Sequence, residues 1–81
     1  MITGAQIRLG RELLGLRRSK LAQKAQLGAA TIARAEGCEG EAPITMVQEN
    51  AIRRVFCADG IEFIAGDDGR PSVRLRKAAD L

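Results

Sequence analysis

The sequence predicts a mainly α fold, a bundle of four short helices followed by a C-terminal β-hairpin. Through the first 58 residues, apolar side chains recur at spacings of three and four, the period of a helix that buries one face. After Gly60 the period changes to two, and turn-forming residues at 66–71 separate two short runs. With 81 residues, the chain is expected to form a single domain around one small core.

The first helix is expected to begin after Thr3 and to end at Gly15. Thr3 and Gln6 have the spacing of a capping box, in which each side chain accepts a hydrogen bond from the backbone N–H of the other residue. Gly15 suits the left-handed conformation that commonly follows a helix. Leu16 is then expected to enter the core. The apolar residues along this helix are Ile7, Leu9, Leu13 and Leu14.

Residues 18–25 and 29–36 are predicted to form two further helices that meet at a sharp angle. Leu21 and Ala25 lie four apart on one face, and Ala22 is small where the next helix must cross closely. Leu27 is an isolated apolar residue between the helices, and Ile32 begins the inward stripe of the second one. This spacing is typical of a helix-turn-helix, a unit that can place its second helix in the major groove of DNA.

The fourth helix is expected at residues 46–58, after a loop at 37–43 that is rich in glycine and glutamate. Thr45 and Gln48 repeat the capping-box spacing, and Asp59 with Gly60 ends the helix. Its apolar stripe consists of Val47, Ala51, Ile52, Val55 and Phe56.

The hairpin is expected to pair residues 61–65 with residues 72–76, and residues 77–81 are expected to form a frayed tail. An isolated two-stranded hairpin is only marginally stable in water. We therefore expect it both to pack on the helices and to pair with another chain through an edge strand.

Composition argues against several classes of function. The chain has no histidine, and Cys38 and Cys57 form no metal-binding spacing, so neither a metal nor another cofactor is expected. Without an evident base or an activated nucleophile, an enzyme is not expected either. No apolar run is long enough to cross a bilayer, and the first residues lack the pattern of a secretory signal. A cytoplasmic location is therefore predicted.

The net charge of +3 is unevenly distributed. Residues 1–35 contain seven basic side chains and one acidic one, whereas residues 36–69 contain two basic and eight acidic ones. A basic region beside an acidic one suits a polyanion docked at one face, although a solvated charged surface would have the same composition.

The helix-turn-helix residues named above resemble those of the lambda repressor and Cro-like (XRE-type) family of transcriptional regulators. The likeness covers about residues 3–58, and residues 3–36 carry most of it. It implies a compact lambda-repressor-like bundle in which the second and third helices form the helix-turn-helix. The ending at 60–64 and 73–76 looks like that of small family members in which a hairpin replaces the last helix.

The resemblance also implies roles for individual residues. Arg11 and Glu36 would form a partly buried ion pair that ties the first helix to the third. Gln26 stands where the family normally has glycine, so it must either take a left-handed conformation or reshape the turn. Glu39 and Glu41 follow the third helix, where the family often contacts phosphate, and they should repel DNA.

In such proteins the third helix presents its first turn, and the outward face one turn later, to base edges. An arginine can bind guanine O6 and N7, whereas alanine offers only apolar contact to a thymine methyl group. Direct readout should therefore be sparse. For Arg34, base contact and phosphate contact remain open alternatives, with a surface ion pair as a third. The expected base-edge residues are Gly28, Ala29, Ala30 and Arg34.

The start of the second helix would lie against the phosphate backbone, where positive charge adds affinity by releasing counterions. These groups would position the protein rather than specify the sequence. The family usually has glutamine where Arg18 stands, so the contact here would be ionic. The expected phosphate ligands are Arg17, Arg18, Lys20 and Thr31.

Two functions follow as hypotheses. The first is a sequence-specific DNA-binding regulator, most simply a repressor, that binds a roughly palindromic operator as a homodimer through contacts at Ile64 or Leu75. The alternative is a protein-interaction module, such as an antitoxin or anti-activator, that keeps the fold but binds a protein partner. Glu39, Glu41 and Gln26 motivate the alternative.

Overall fold

The computed structural model describes residues 1–66 and 71–76. The mainly α fold with four helices and a C-terminal hairpin is confirmed. Residues 67–70 of the expected turn, and the expected tail at 77–81, lie outside the described residues. In chain order, the elements are α1 (Gly4–Leu14), α2 (Arg18–Ala25), α3 (Ala29–Glu36), α4 (Met46–Ala58), β1 (Ile61–Ile64) and β2 (Ser72–Leu75).

Two of the helices begin at complete capping boxes. The Thr3 hydroxyl accepts the N–H of Gln6 at 3.0 Å, and the Gln6 side chain accepts the N–H of Thr3 at 2.9 Å. Thr45 and Gln48 make the same two bonds at the start of α4, at 3.1 and 3.0 Å. At the other end of α1, Gly15 takes the predicted left-handed conformation, with φ 67°. The predicted ends of these helices are confirmed.

The turn between α2 and α3 keeps its geometry despite the missing glycine. Gln26 has φ 59° and ψ 42°, the left-handed region. Leu27 donates its N–H to the carbonyl of Ala22 at 2.8 Å, which closes the end of α2. Of the two outcomes expected for Gln26, the strained backbone is therefore the one observed. Holding a residue with a Cβ there costs on the order of 1 kcal/mol.

The core lies where the inner faces of all four helices meet the hairpin. Its largest fully buried side chains are Phe56, Ile2, Ile7, Leu21, Ile32, Ile52 and Ile61. Gly10 lies directly against the ring of Phe56, so a Cβ at Gly10 would come within 2.8 Å of that ring. This close approach fixes which side of α1 faces inward.

Four apolar residues of the predicted helices and their ends do not enter the core. Leu9 and Leu13 are 41% and 46% exposed, because α1 turns Ile7 and Gly10 inward and these leucines lie outside that face. Leu16 is only half-buried and does not join the core, since it follows the end of α1. Val47, in the first turn of α4, is 77% exposed.

The N-terminal segment is paired with the loop that follows α3. Gly4 donates its N–H to the carbonyl of Gly40 at 2.9 Å, and Ala42 donates to the carbonyl of Ile2 at 3.1 Å. A Cβ on Gly4 would clash with the backbone carbonyl oxygens of Ala35 and Cys38. Only glycine therefore permits this approach, which holds the end of α3 against α1.

The hairpin packs one apolar face on the helices. The strands are antiparallel, with Ile61 opposite Leu75 and Phe63 opposite Val73. These four residues share a face because side chains alternate along a strand. Ile61 and Val73 are buried, so the expected packing on the helices is confirmed. None of the described helices is long and apolar enough to cross a membrane.

Candidate nucleic-acid interface

The helix α3 lies on the bundle with one flank turned to solvent. Ile32, Ala35 and Glu36 are buried and fix its inner face. The residues expected at base edges are exposed, and Thr31 is half-buried at the border. Ala33, which the sequence interpretation missed, is also exposed, and its distance of four residues from Ala29 could have revealed it. The exposed flank consists of Gly28, Ala29, Ala30, Ala33 and Arg34.

The start of α2, which contacts the end of α3 through Arg18 and Glu36, carries exposed positive charge. Arg17, Arg18 and Lys20 are all exposed. Within the described part of the chain, neither Arg17 nor Lys20 forms an ion pair, and the same holds for Arg34 on α3. Three cations of the predicted set can therefore meet an anionic ligand without first giving up a described partner.

No side chain caps the N-terminus of either helix of the helix-turn-helix. Arg17 precedes α2 and Gly28 precedes α3, and neither makes a side-chain capping bond. The N–H groups of Ala29 and Ala30 have no hydrogen-bond partner among the described residues. An open helix N-terminus carries partial positive charge, so it favours an anion.

The predicted ion pair between Arg11 and Glu36 is present. Arg11 donates from Nε to Oε2 of Glu36 at 2.8 Å and from Nη2 to Oε1 at 3.1 Å. The Glu36 side chain is 1% exposed and that of Arg11 is 15% exposed. Arg11 also donates to the carbonyl of Leu16 at 3.0 Å. This two-bond contact locks the end of α3 to α1.

A second arginine reaches the same carboxylate. Nε of Arg18 donates to Oε1 of Glu36 at 3.1 Å, while the Arg18 side chain stays 54% exposed. Sequence reasoning placed Arg18 at the phosphate backbone and missed this bond. Arg18 and Glu36 lie on different helices, so periodicity along the chain does not relate them, and only the packing of α2 against α3 reveals the bond. Part of the Arg18 guanidinium is therefore engaged within the protein.

The acidic residues after α3 are partly balanced. Nη2 of Arg8 lies 3.0 Å from Oε2 of Glu39, and Nη1 of Arg8 donates to the backbone carbonyl of Glu36 at 3.0 Å. The Glu39 side chain is 84% exposed, so this ion pair contributes little free energy. Arg8 nevertheless offsets one of the two charges expected to repel DNA, whereas Glu41 is exposed and has no described ion-pair partner.

The two residues proposed for a dimer contact do not share a surface. Ile64 lies on the face of the hairpin that carries Glu62 and Arg74, and it is half-buried. Leu75 lies on the opposite face, at its border, and is 48% exposed. Each strand still has one edge without a paired strand among the described residues, since the sheet has only two strands. Any contact that used both residues would have to wrap around an edge.

Cys38 and Cys57 are exposed free thiols, and in the described ranges no three His, Cys, Asp or Glu side chains are grouped as a metal ion would require. No protein-family model matches the sequence, and no curated protein matches it at a significant level. The resemblance to XRE-type regulators therefore rests on the residues quoted above.

Proposed function

We propose that this protein is a sequence-specific DNA-binding transcriptional regulator of the cytoplasm, most simply a repressor. The observation that carries the proposal is the exposed flank of α3, with Ala29, Ala30 and Arg34 turned to solvent. It is supported by the exposed cations at the start of α2, where Arg18 contacts Glu36 at the end of α3. A rigid helix with this flank fits the major groove, which is about 12 Å wide in B-form DNA.

The side chains on α3 determine which DNA bases the protein could recognise. Arg34 is the only charged residue on the exposed flank, and it would bind the O6 and N7 atoms of a guanine or a neighbouring phosphate. The alanines offer methyl groups that suit thymine. Few specific hydrogen bonds are available, so the shape and deformability of the DNA would contribute to discrimination.

The start of α2 would supply affinity without sequence preference. Arg17, Arg18 and Lys20 would neutralise phosphates, with Thr31 as a hydrogen-bonding ligand nearby. Each neutralised phosphate releases counterions, so the affinity should fall steeply as salt is raised. Two copies related by a two-fold axis would place their α3 helices in successive major grooves, roughly 34 Å apart, on a palindromic site.

Selection of bound fragments from random duplex DNA tests the proposal. We expect an enriched, roughly palindromic sequence, bound with a strong dependence on salt. Arg34→Ala should weaken binding to that sequence about tenfold. The matched control is Arg54→Ala, which removes an exposed arginine of α4 and should change the affinity less than twofold. The absence of any enriched sequence, with no salt-dependent binding to bulk DNA, would contradict the proposal.

A second candidate, a protein-interaction module, is favoured by one surface. A groove of about 550 Å³ lies between the end of α2 and α4, and Leu27, Val47 and Val55 are among the residues that line it. Val47 is largely exposed there. If a charge reversal at Arg17 and Arg34 preserved regulation in cells while Val47→Asp abolished it, this candidate would replace DNA binding.

A further inference from the structure

The carboxylate of Glu36 is held rigidly and binds an exposed arginine. Two bonds from Arg11 fix both of its oxygens, and its side chain is 1% exposed. Oε1 also accepts Nε of Arg18 at 3.1 Å. Because the Glu36 carboxylate is held in place, it also holds the Nε atom that donates to it. The Arg18 guanidinium is therefore anchored at Nε, although 54% of the side chain is exposed.

Anchoring at Nε leaves the outer part of the guanidinium available. Arginine has five N–H donors, and the four on its two terminal nitrogens make no hydrogen bond with a described residue. Arg18 is the first residue of α2, next to the open N-terminus of that helix. The surrounding charge is favourable to an anion, since Arg17 and Lys20 are also exposed.

We propose that Glu36 is a positioning residue for DNA binding. Its carboxylate holds Nε of Arg18, so the two terminal amino groups of Arg18 are already ordered when they meet a phosphate. This inference rests on the proposed DNA-binding function. Immobilising a long side chain on binding costs free energy, and prior anchoring removes much of that cost. Glu36 thereby serves two roles, because it also ties α3 to α1 through Arg11.

Lysine cannot reproduce this arrangement. Its charge is a single ammonium group on a flexible stem, so the same nitrogen would have to serve both Glu36 and the phosphate. Arg17 provides a matched comparison, because it is an adjacent exposed arginine that forms no ion pair with a described residue. Replacement of either arginine by lysine keeps the net charge of the protein.

The test measures the Kd of the selected DNA duplex at one fixed salt concentration for wild type, Arg17→Lys and Arg18→Lys. We expect Arg18→Lys to bind about fivefold more weakly than wild type and Arg17→Lys to lose clearly less affinity than Arg18→Lys, because Arg17 has no anchored guanidinium to lose. Both variants should unfold at the wild-type denaturant midpoint, which separates positioning from folding. Equal Kd values for the two lysine variants would overturn the inference.

A second comparison uses Glu36→Leu, which is similar in size but has no oxygen to accept the N–H of Arg18 Nε. In that background, Arg18→Lys should weaken binding less than twofold, because the anchor is already lost. A full fivefold loss there would show that Arg18 acts without Glu36 and would overturn the inference. If Glu36→Leu does not fold, the two lysine variants decide alone. Failure of wild type itself to bind DNA would instead overturn the proposed function, and the inference with it.

Discussion

The outer helices, α1 and α4, differ from the helix-turn-helix pair, α2 and α3, in how the backbone N–H groups at the helix starts are capped. The outer helices begin at complete Thr–Gln capping boxes. The inner pair begins at Arg17 and Gly28 without a side-chain cap, and Gln26 between them is held in a left-handed conformation. The scaffold helices therefore have side-chain caps, whereas the segment proposed to bind DNA lacks them and contains a residue with an unfavourable backbone conformation. Such departures are expected at functional sites, where function competes with stability.

The buried ion pair joins these two regions, and breaking it should have the largest effect. Glu36→Ala leaves Arg11, which is 15% exposed, with an uncompensated charge. We expect a loss of about 3 kcal/mol in the free energy of unfolding, measured by urea denaturation. Glu39→Ala is the control, because it removes an exposed ion pair and should cost less than about 1 kcal/mol. Similar losses for the two variants would contradict the account.

The capping boxes should matter for stability alone. Thr45→Ala removes the hydroxyl that accepts the N–H of Gln48 and should cost about 1 kcal/mol of unfolding free energy. The affinity for DNA should remain unchanged under conditions where the variant is fully folded. Arg17→Ala should have the opposite profile, with stability kept and DNA affinity reduced. The comparison between the two regions fails if both variants change the same quantity.

Relief of the turn strain should stabilise the protein. Gln26→Gly removes the Cβ at φ 59°, and part of the gain is offset by the larger freedom of glycine in the unfolded chain. We expect a net gain of about 0.5 kcal/mol, seen as a higher urea midpoint. Gln23→Gly, at an exposed helical position of α2, should instead destabilise by about 1 kcal/mol. A loss of stability in Gln26→Gly would show that the strain at Gln26 is smaller than the entropy that glycine adds to the unfolded chain.

The smallest effect on folding should come from adding a cap to α3. Gly28 has φ −74° and ψ 147°, which serine also adopts, and a Cβ there would meet only the Thr31 hydroxyl at 3.9 Å. Gly28→Ser should stabilise the fold by about 0.3 kcal/mol. DNA affinity should fall, because the new hydroxyl would accept the N–H of a first-turn residue of α3, at the end of the helix that is proposed to face base edges. Gly28→Ala, which adds the Cβ without a hydroxyl, is the matched control.

Elements that depend on neighbouring residues could be predicted well from the sequence. Thr3 with Gln6, Thr45 with Gln48, and the change of period after Gly60 located the helix ends and the hairpin, because caps and periodicity are local properties. The orientation of α1 was predicted less well. Leu9 and Leu13 look like core residues by type, but the face of α1 that packs inward contains Ile7 and Gly10, and a glycine gives no apolar signal for that face.

The candidate site shows the same division. The exposed flank of α3 follows from helical spacing once Ile32 is placed inside, so its residues could be predicted. The bond between Arg18 and Glu36 could not be predicted, because the two residues meet only where α2 packs against α3. The separation of Ile64 and Leu75 onto opposite faces depends on the strand register, which a turn with several glycines and aspartates left undetermined.

The proposed DNA-binding surface consists of α3 and the start of α2. A titration of isotopically labelled protein with the selected duplex, followed by amide NMR, would locate the bound surface residue by residue. We expect the largest shifts in residues 17–20 and 28–34, while amides in the second half of α4 and in the described strands change little. Shifts concentrated instead along the α2–α4 groove or on the hairpin, with residues 28–34 unchanged, would contradict the proposed surface.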